Sequence, residues 1–600
     1  MHSKLTFCFL LFFFGISFIS AQEKKDSMYY KIEEFSDKKK YTKFLHRLVF
    51  RREADSVSVK SRTEKPVQSS YEGKIIRNIT IETIDPFGYK ISDRNDNRKW
   101  YDRLADRVHI DSKKSTIENY LLFKEGEHYN AQKLYESERV LRNTQFVNRV
   151  NISIVESAST RDSIDVAVQI LDSWSLKPRL RFSGDKVGVG LIEGNLLGLG
   201  HEVKVLYTND FKEKDNQLFG SYTAYNLFGS FIDAGIVAEK DLADNERVNF
   251  SANRQFFSPL TRWAGGFTFE YFMRKVLMPL ENTTDFPEVQ IKVYNQDLWG
   301  GYQFPVLVGN KGEISRNIAV LGRFQNYQYK DNPALDQNDF FASYNSFLAS
   351  ATFIERKFAV KKNIFRYNLP EDIPYGKSFG VTGGVLNRSS NPIPYAGISG
   401  SFGTFTRSGY FTVKAQYGRL FNEDEVNSNS FRFDGSYFTN LQNWRFAQVR
   451  HFFSPTFAVG NERYNSSYKD RMNLSEQTEF PAYSTDFIGT KKLILRYQTQ
   501  FFINKTWKNF HFSPYSIVAV GWLSQRDQKL FSTKTQSKIG LGILIDNPYL
   551  VFNRIQLSFM FYPNVPFDNK SVFEFNDYRN NMMPFNNFGA DKPHFVNFEN

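Results

Sequence analysis

The feature that most constrains this chain is an alternation of apolar and polar residues that recurs in short segments from about residue 176 onward. In a β-strand successive side chains point to opposite faces, so alternation indicates a sheet with one apolar face. No segment after residue 21 offers the roughly 18 apolar residues in a row that a membrane helix needs. The clearest apolar faces are those of Phe267, Phe269, Tyr271 and Met273; Phe411, Val413, Ala415 and Tyr417; Leu493, Leu495, Tyr497 and Phe501; and Ile555, Leu557, Phe559 and Phe561.

The composition fits a sheet that faces lipid. The chain has 61 Phe and 32 Tyr among 600 residues, and aromatic residues favour strands and suit the boundary between lipid and water. A mean hydropathy of −0.46 does not exclude a membrane protein, because a barrel wall hides its apolar half in alternation. We therefore predict a transmembrane antiparallel β-barrel, with roughly sixteen to nineteen candidate strands. The alternative is a soluble sandwich or propeller, which would not need so many outward aromatic side chains.

The first 21 residues read as a secretory signal peptide. Lys4 precedes an apolar run from Leu5 to Ile19, and small residues follow at Ser20 and Ala21, which predicts cleavage before Gln22. A retained membrane anchor is the alternative, although the apolar run is short for a span. The single cysteine of the chain lies inside this leader, so we expect no disulfide in the exported protein.

Residues 22–70 are polar and rich in Lys, Ser and Glu. Helical spacing of four apolar residues predicts one short helix there, from Tyr41 to Leu48. Its apolar face has two candidate uses. It docks a partner or rests on a membrane surface, or it packs on the next domain as a plain structural element.

Residues 71–173 predict a small domain with the order strand, helix, helix, strand, strand. The first helix is expected from Ser112 to Phe123, and the second is expected to begin at a cap near Asn130. The last two strands, within Val147–Ile170, alternate cleanly and predict a hairpin. The domain is therefore of the α+β class.

Nothing in the sequence points to an enzyme, a cofactor or a metal. The eight histidines form no H-E-x-x-H or paired-ligand spacing, and no G-x-S-x-G elbow occurs. The glycines from Gly188 to Gly200 precede a strand, whereas a phosphate-binding loop must open a helix. The formal charge of +13 is assigned to solvated loops and rims, with lipopolysaccharide phosphates as a second candidate, and no nucleic-acid motif is present.

Three short motifs, in this order along the chain, carry a family resemblance. They are Phe123–Gly126 (FKEG), Asn195–Gly200 (NLLGLG) and Gly489–Leu493 (GTKKL). With the predicted elements they resemble a POTRA domain joined to the barrel of the BamA/TamA-type outer-membrane assembly superfamily, to which two-partner secretion translocators are related. The resemblance covers residues 71–600. It implies a mainly β protein, in which a small α+β POTRA domain (71–173) precedes a transmembrane antiparallel β-barrel of about 16 strands (174–600).

The resemblance also implies a location and a function. The barrel is expected in the cell outer membrane with the N-terminal domain in the periplasm, where the protein inserts, assembles or translocates other proteins. Expected partners are outer-membrane lipids and lipopolysaccharide, unfolded or exported client proteins, and accessory outer-membrane subunits. Two alternatives remain open: a passive channel or structural subunit of an outer-membrane complex, and a dedicated two-partner secretion translocator.

Candidate client-pairing residues are Val150, Ile152 and Ile154 in the predicted hairpin. An exposed strand edge accepts an extended client segment through backbone hydrogen bonds, which depend little on sequence. The alternative is that residues 22–70 or a partner protein cover this edge.

A weak seam between the first and last barrel strands is a second candidate site that the resemblance implies. The first strand is expected within Leu180–Ile192, and glycines there would weaken its pairing with a neighbour. The candidate seam residues are Gly188, Gly190, Gly194, Phe595 and Phe598.

The third candidate site is a loop folded into the barrel lumen. Members of the superfamily place an Arg-Gly-aromatic tip on this loop and an Asp-x-Gly on the facing wall strand. Here the corresponding stretches are Thr478, Glu479 and Phe480 on the loop and Ala519–Gly521 on the wall. Both charges are absent together, which costs little because neither leaves an unpaired partner. The departure weakens any transfer of the assembly mechanism.

Overall fold

The structure is a computed structural model of the full chain. It describes residues 69–84, 110–183, 185–277, 288–308, 314–330, 342–388, 391–421, 428–461, 472–474, 480, 488–506, 510–524, 528–546, 555–563, 565, 572–575 and 587–596. The predicted signal peptide, residues 22–68 and Phe598 lie outside these ranges.

The N-terminal part is a three-stranded sheet covered by two helices. Its elements are β1 (Ile75–Ile84), α1 (Lys114–Glu118), α2 (Ala131–Arg142), β2 (Val147–Ile154) and β3 (Ser163–Asp172). The strand order is β1-β3-β2, with β1 parallel and β2 antiparallel to β3. Within the described ranges, no helix is long and apolar enough to cross a membrane.

The apolar stripes that the sequence shows form the core of this small domain. Asn130 caps α2 as expected, since its side chain accepts a hydrogen bond from the amide of Lys133 at 3.0 Å. Helix α1 is shorter than the predicted Ser112–Phe123. The amide of Leu122 donates to the hydroxyl of Ser137 at 2.8 Å instead of continuing a helix. The buried residues include Ile117, Leu134, Leu141, Val150, Ile152, Ile164, Val166, Val168 and Ile170.

The rest of the chain forms a closed antiparallel barrel. Its first strands are β4 (Leu176–Ser183), β5 (Lys186–Leu196), β6 (His201–Asp210), β7 (Asp215–Ala224), β8 (Asp233–Lys240), β9 (Glu246–Arg254), β10 (Trp263–Leu277), β11 (Glu288–Val308), β12 (Ile314–Tyr329) and β13 (Tyr344–Lys362). The next are β14 (Pro370–Arg388), β15 (Asn391–Phe405), β16 (Gly409–Leu420), β17 (Ser428–Thr439), β18 (Gln442–Asn443) and β19 (Ala447–Asn461). After a separate two-stranded sheet of β20 (Met472–Asn473) and β21 (Ile488–Gly489) come β22 (Lys491–Ile503), β23 (His511–Ser524), β24 (Gln536–Asp546), β25 (Ile555–Tyr562) and β26 (Val572–Phe575).

The strand number differs from the sixteen that the resemblance implies. Among the described residues, fifteen of the strands from β4 to β19 and the five from β22 to β26 form the wall, which gives twenty, while the two-residue β18 lies beside β19. Several of the additional strands are short. Strand β8, for example, has eight residues and carries charges at both ends. Alternation over so few residues does not separate one strand from the next, so the sequence undercounts the ring.

The two faces of the barrel wall differ in chemistry. Along β11, Leu298, Tyr302 and Phe304 are exposed on the outside, whereas Asp297 and Gln303 are buried on the inside. The same division continues around the ring. Other exposed apolar residues are Val320, Phe347, Phe379, Val381, Ile398, Phe402, Phe453, Tyr497, Val518, Ile539, Leu541, Leu557 and Phe559. An apolar outer face on a wall with no free edge is the form in which strands cross lipid.

A charge placed on this outer face tests whether lipid surrounds it. Leu298 lies in the middle of β11 and is 58% exposed. We expect Leu298→Arg to destabilise the barrel in lipid vesicles by about 2–4 kcal/mol, measured by urea unfolding. The control is Phe421→Arg just after β16, for which the expected cost is about 0–1 kcal/mol because depth determines the penalty. Equal costs at the two positions would contradict a membrane around the wall.

Candidate functional site

Helix α2 of the small domain is bound to one end of the barrel, which we call the domain end. The Arg142 guanidinium lies 2.7 Å from the Asp372 carboxylate at the start of β14 and 2.6 Å from that of Glu138. The side chain of Gln132 exchanges two hydrogen bonds, of 2.7 and 2.9 Å, with the backbone of Ile314. All three side chains of the Arg142 cluster are nearly inaccessible to solvent. The domain is therefore docked on the barrel.

Arg139 makes a second contact to the barrel. It pairs with Glu136 at 2.7 Å, donates to the carbonyl of Phe257, and lies 4.2 Å over the ring of Phe358. Because Glu136 and Arg139 are buried together, each removes the cost of leaving the other charge unpaired.

The motif Asn195–Gly200 forms a turn that contacts the start of helix α1. The carbonyl of Gly198 accepts from the amide of Lys113 at 3.0 Å and from the hydroxyl of Thr116 at 2.8 Å. Gly198 has φ +72°, and a Cβ there would collide with the carbonyl oxygen of Asp111. The sequence identified this motif only by resemblance. The structure gives a physical reason for Gly198, because the backbone turns there and lies close to the backbone of Asp111.

The electrostatics of the docked helix keep Arg142 charged. Burial by itself lowers the pKa of Arg142, but the carboxylates of Asp372 and Glu138 outweigh it and leave the pKa raised above its ordinary value. The guanidinium therefore stays charged at every pH in which the protein is folded, so docking does not depend on titration of this arginine.

The predicted client-pairing residues lie on β2, an outer strand of the small sheet. The side chains of Val150, Ile152 and Ile154 point into the core of the domain. The amide of Ile152 donates to the Glu138 carboxylate at 3.3 Å, so the chain itself already covers part of this edge. Whether residues 22–68 also cover it lies outside the described ranges.

The ring closes where β4 meets β26. Between described residues, Ser183 pairs with Glu574 and Phe182 with Phe575, and residues 576–586, which follow β26, lie outside the described ranges. On its other side β4 pairs with β5 along all eight of its residues, from Leu176 to Ser183.

The residues predicted for the seam lie elsewhere. Gly188, Gly190 and Gly194 are on β5, the second wall strand, one strand away from the closure. A Cβ on Gly190 would collide with Leu206 of β6, so this glycine allows close approach of neighbouring strands. Phe595 lies inside the barrel against Tyr395, with ring centroids 4.8 Å apart, and Phe598 is outside the described residues. The first wall strand is Leu176–Ser183, which begins before the expected Leu180–Ile192.

Phe480 of the predicted lumen loop lies inside the barrel, while Thr478 and Glu479 are outside the described residues. Phe480 is fully buried and packs with Leu474 against the wall. A Cβ on Gly521 would lie 3.1 Å from the ring of Phe480, and the ammonium of Lys538 lies 5.9 Å from its centroid. Phe480 is thus held by an apolar contact and a cation–π contact.

The C-terminal segment, residues 587–596, runs along the opposite inner wall. It begins near the domain end, where Asn587 accepts from Arg356 at 3.3 Å. It ends beside the far ends of β15 and β17, where Val596 contacts Tyr395 and Ser430. We call it the lumen tail. The sequence reasoning missed it, although Pro593 within a charged stretch argues against a wall strand there.

The described ranges hold no grouping that suggests metal chemistry. No set of three or more His, Cys, Asp or Glu residues within them is arranged to hold an ion. His201 contacts the hydroxyl of Tyr222 at 2.9 Å, and His451 stacks on Tyr497. These histidines are wall side chains with protein partners.

The buried ion pair between domain and barrel yields a quantitative test. We expect Arg142→Ala to weaken docking by about 3–5 kcal/mol because Asp372 is left buried without its partner. The combined change with Asp372→Ala should cost less than the sum of the two single changes. Hydrogen exchange of α2 in the folded protein measures docking. The control is Arg77→Ala, which removes an exposed pair with Asp165 on the same domain and should have little effect on that exchange. If Arg77→Ala reduced the protection of α2 as much as Arg142→Ala does, that result would contradict the docking role of the Arg142–Asp372 pair.

Comparison with known proteins finds similarity in structure but not in sequence. No family model matches the chain, and no curated protein matches it. BamA from Haemophilus ducreyi lacking POTRA domains 1–3 is 12% identical with a TM-score of 0.34, over 84% of each chain. CdiB from Escherichia coli is 12% identical with a TM-score of 0.37, over 91% of this chain and 83% of that one. CdiB from Acinetobacter baumannii is 10% identical with a TM-score of 0.37, over 84% and 73%.

The chain is thus a mainly β protein whose antiparallel barrel follows a small α+β domain. The solved structures similar to it include BamA, the protein for which the superfamily of the sequence resemblance is named.

Proposed function

We propose that this protein is an outer-membrane barrel that takes part in the insertion, assembly or translocation of other proteins. The observation that supports the proposal most is a closed antiparallel wall with an apolar outer face, in which the first wall strand, β4, pairs with the last described strand, β26. Unpaired backbone groups in lipid cost several kcal/mol each, so a β4 edge that separated from β26 would gain by pairing with a client strand.

The docked domain fits the same function. We propose that it lies in the periplasm and receives extended client segments at the outer edge of β2, near Val150, Ile152 and Ile154. A client strand must displace the Glu138 carboxylate from the amide of Ile152, a single hydrogen bond of 3.3 Å. The ladder of backbone hydrogen bonds to the client would have to offset the loss of this buried contact. Outer-membrane lipids, lipopolysaccharide and accessory outer-membrane subunits are the remaining proposed partners, and we propose no enzymatic step.

A structural subunit of an outer-membrane complex is the second candidate function. The observation that favours it is that both inner walls are covered, one by Phe480 and Leu474 and the other by the lumen tail. A passive open channel fits this filled lumen less well. Depletion of the protein with a census of outer-membrane barrels separates the candidates. A general fall supports assembly, loss of one exported protein supports a dedicated translocator, and an unchanged census supports the structural role.

A lock across the seam tests the proposed mechanism directly. The mature chain lacks cysteine, so Phe182→Cys with Phe575→Cys places one pair on register partners of β4 and β26. We expect oxidation to abolish client insertion into vesicles and reduction to restore it, since a closed seam cannot pair with a client. The control is Leu180→Cys with Val189→Cys, a pair between β4 and β5 that should leave insertion unchanged in either redox state. Full insertion by the oxidised seam pair would rule the mechanism out.

A further inference from the structure

The lumen tail is held by contacts of the kind that recognise an extended peptide. Its backbone is bound at both ends of a four-residue stretch. Arg323 donates to the carbonyl of Pro593 at 3.0 Å, and the hydroxyl of Tyr395 accepts from the amide of Val596 at 2.8 Å. The hydroxyl of Ser430 donates to the carbonyl of Val596 at 2.6 Å. Backbone contacts of this kind accept many sequences.

Charge complementarity adds to these backbone contacts. The ammonium of Lys592 lies 2.6 Å from the Asp297 carboxylate, which also binds Arg323 at 2.7 Å. Asp297 is only 4% exposed, so its charge needs these cations. His594 adds a contact of 3.1 Å to Gln416. The wall therefore presents a buried acid to a basic residue of the peptide.

One aromatic side chain anchors each end of the tail. Phe588 is buried, and it fits because the wall has no Cβ at Gly403, where one would collide with the ring. Phe595 packs edge-on against Tyr395. Aromatic anchors on both sides of polar contacts, one of them here fully buried, are typical of strong recognition sites.

We propose that the inner wall from β11 to β17 is a binding site for an extended polypeptide segment with a basic residue between aromatic anchors, and that the lumen tail fills this site within the same chain. The tail holds the lumen closed until a competing segment displaces it. The idea that the competing segment belongs to a client protein rests on the function proposed above. The binding site itself does not depend on it.

Peptide binding to the full-length protein in detergent tests the site. The probe is a fluorescent peptide of residues 587–596, NFGADKPHFV. We expect saturable binding to a chain whose own tail is loosened by Lys592→Ala with Phe595→Ala. The unaltered chain should bind at least about tenfold more weakly, because its tethered tail competes at a high effective concentration.

Matched peptides test the chemistry of the site. A Lys592→Ala peptide should bind about tenfold more weakly, since it loses a charge-assisted contact to a buried acid. An Asp591→Asn peptide is the control. Asp591 is 66% exposed and lies 3.6 Å from Lys414, so its loss should change affinity by less than about threefold.

A covalent bridge tests occupancy without weakening the tail. Ser430→Cys with Val596→Cys, joined by a short bis-maleimide, should form efficiently and exclude the peptide. Migration of unheated samples on a gel verifies that each variant keeps a folded barrel. Absence of saturable binding to the loosened, folded chain up to about 1 mM, the effective concentration of a short tether, would overturn the proposal. So would equal losses of affinity for the two altered peptides. Neither result depends on whether depletion changes other outer-membrane proteins.

Discussion

The requirement that backbone amides and carbonyls find partners without water determines this structure. A strand in lipid must pair on both sides, so twenty wall strands close into a ring. The ring closes where its first strand, β4, meets its last described strand, β26. A strand that separated at this junction would leave backbone groups unpaired in lipid, so another strand would gain by pairing with it.

Closing the ring creates a polar interior that must also be satisfied. Asp297, Arg323 and Arg356 are buried on the inner wall and find partners in the lumen tail. Arg356 also donates to the carbonyl of Phe256 at 2.9 Å, and the next residue, Phe257, accepts from Arg139 of the docked domain. Domain and tail thus meet at the same loop.

Another part of the inner wall is held by packing. Phe480 is fully buried, a Cβ on Gly521 would lie 3.1 Å from its ring, and the ammonium of Lys538 lies 5.9 Å from the ring centroid. The ring fills the space beside the glycine and gives the lysine a cation–π contact. Phe480 is therefore anchored inside the barrel without an ion pair of its own.

Alternation and composition in the sequence determined the barrel, its apolar outer face, the order of elements in the small domain and the cap at Asn130, because each follows from local periodicity. Local patterns did not determine the strand number, the closure at β26, or the positions of Gly188 and Phe595. Those depend on which distant segments pair. Residues 587–596 show the reason most clearly: an extended stretch looks the same in a sequence whether it forms a wall strand or lies in the lumen. Only the buried partners Asp297, Tyr395 and Ser430, distant in the chain, decided its place.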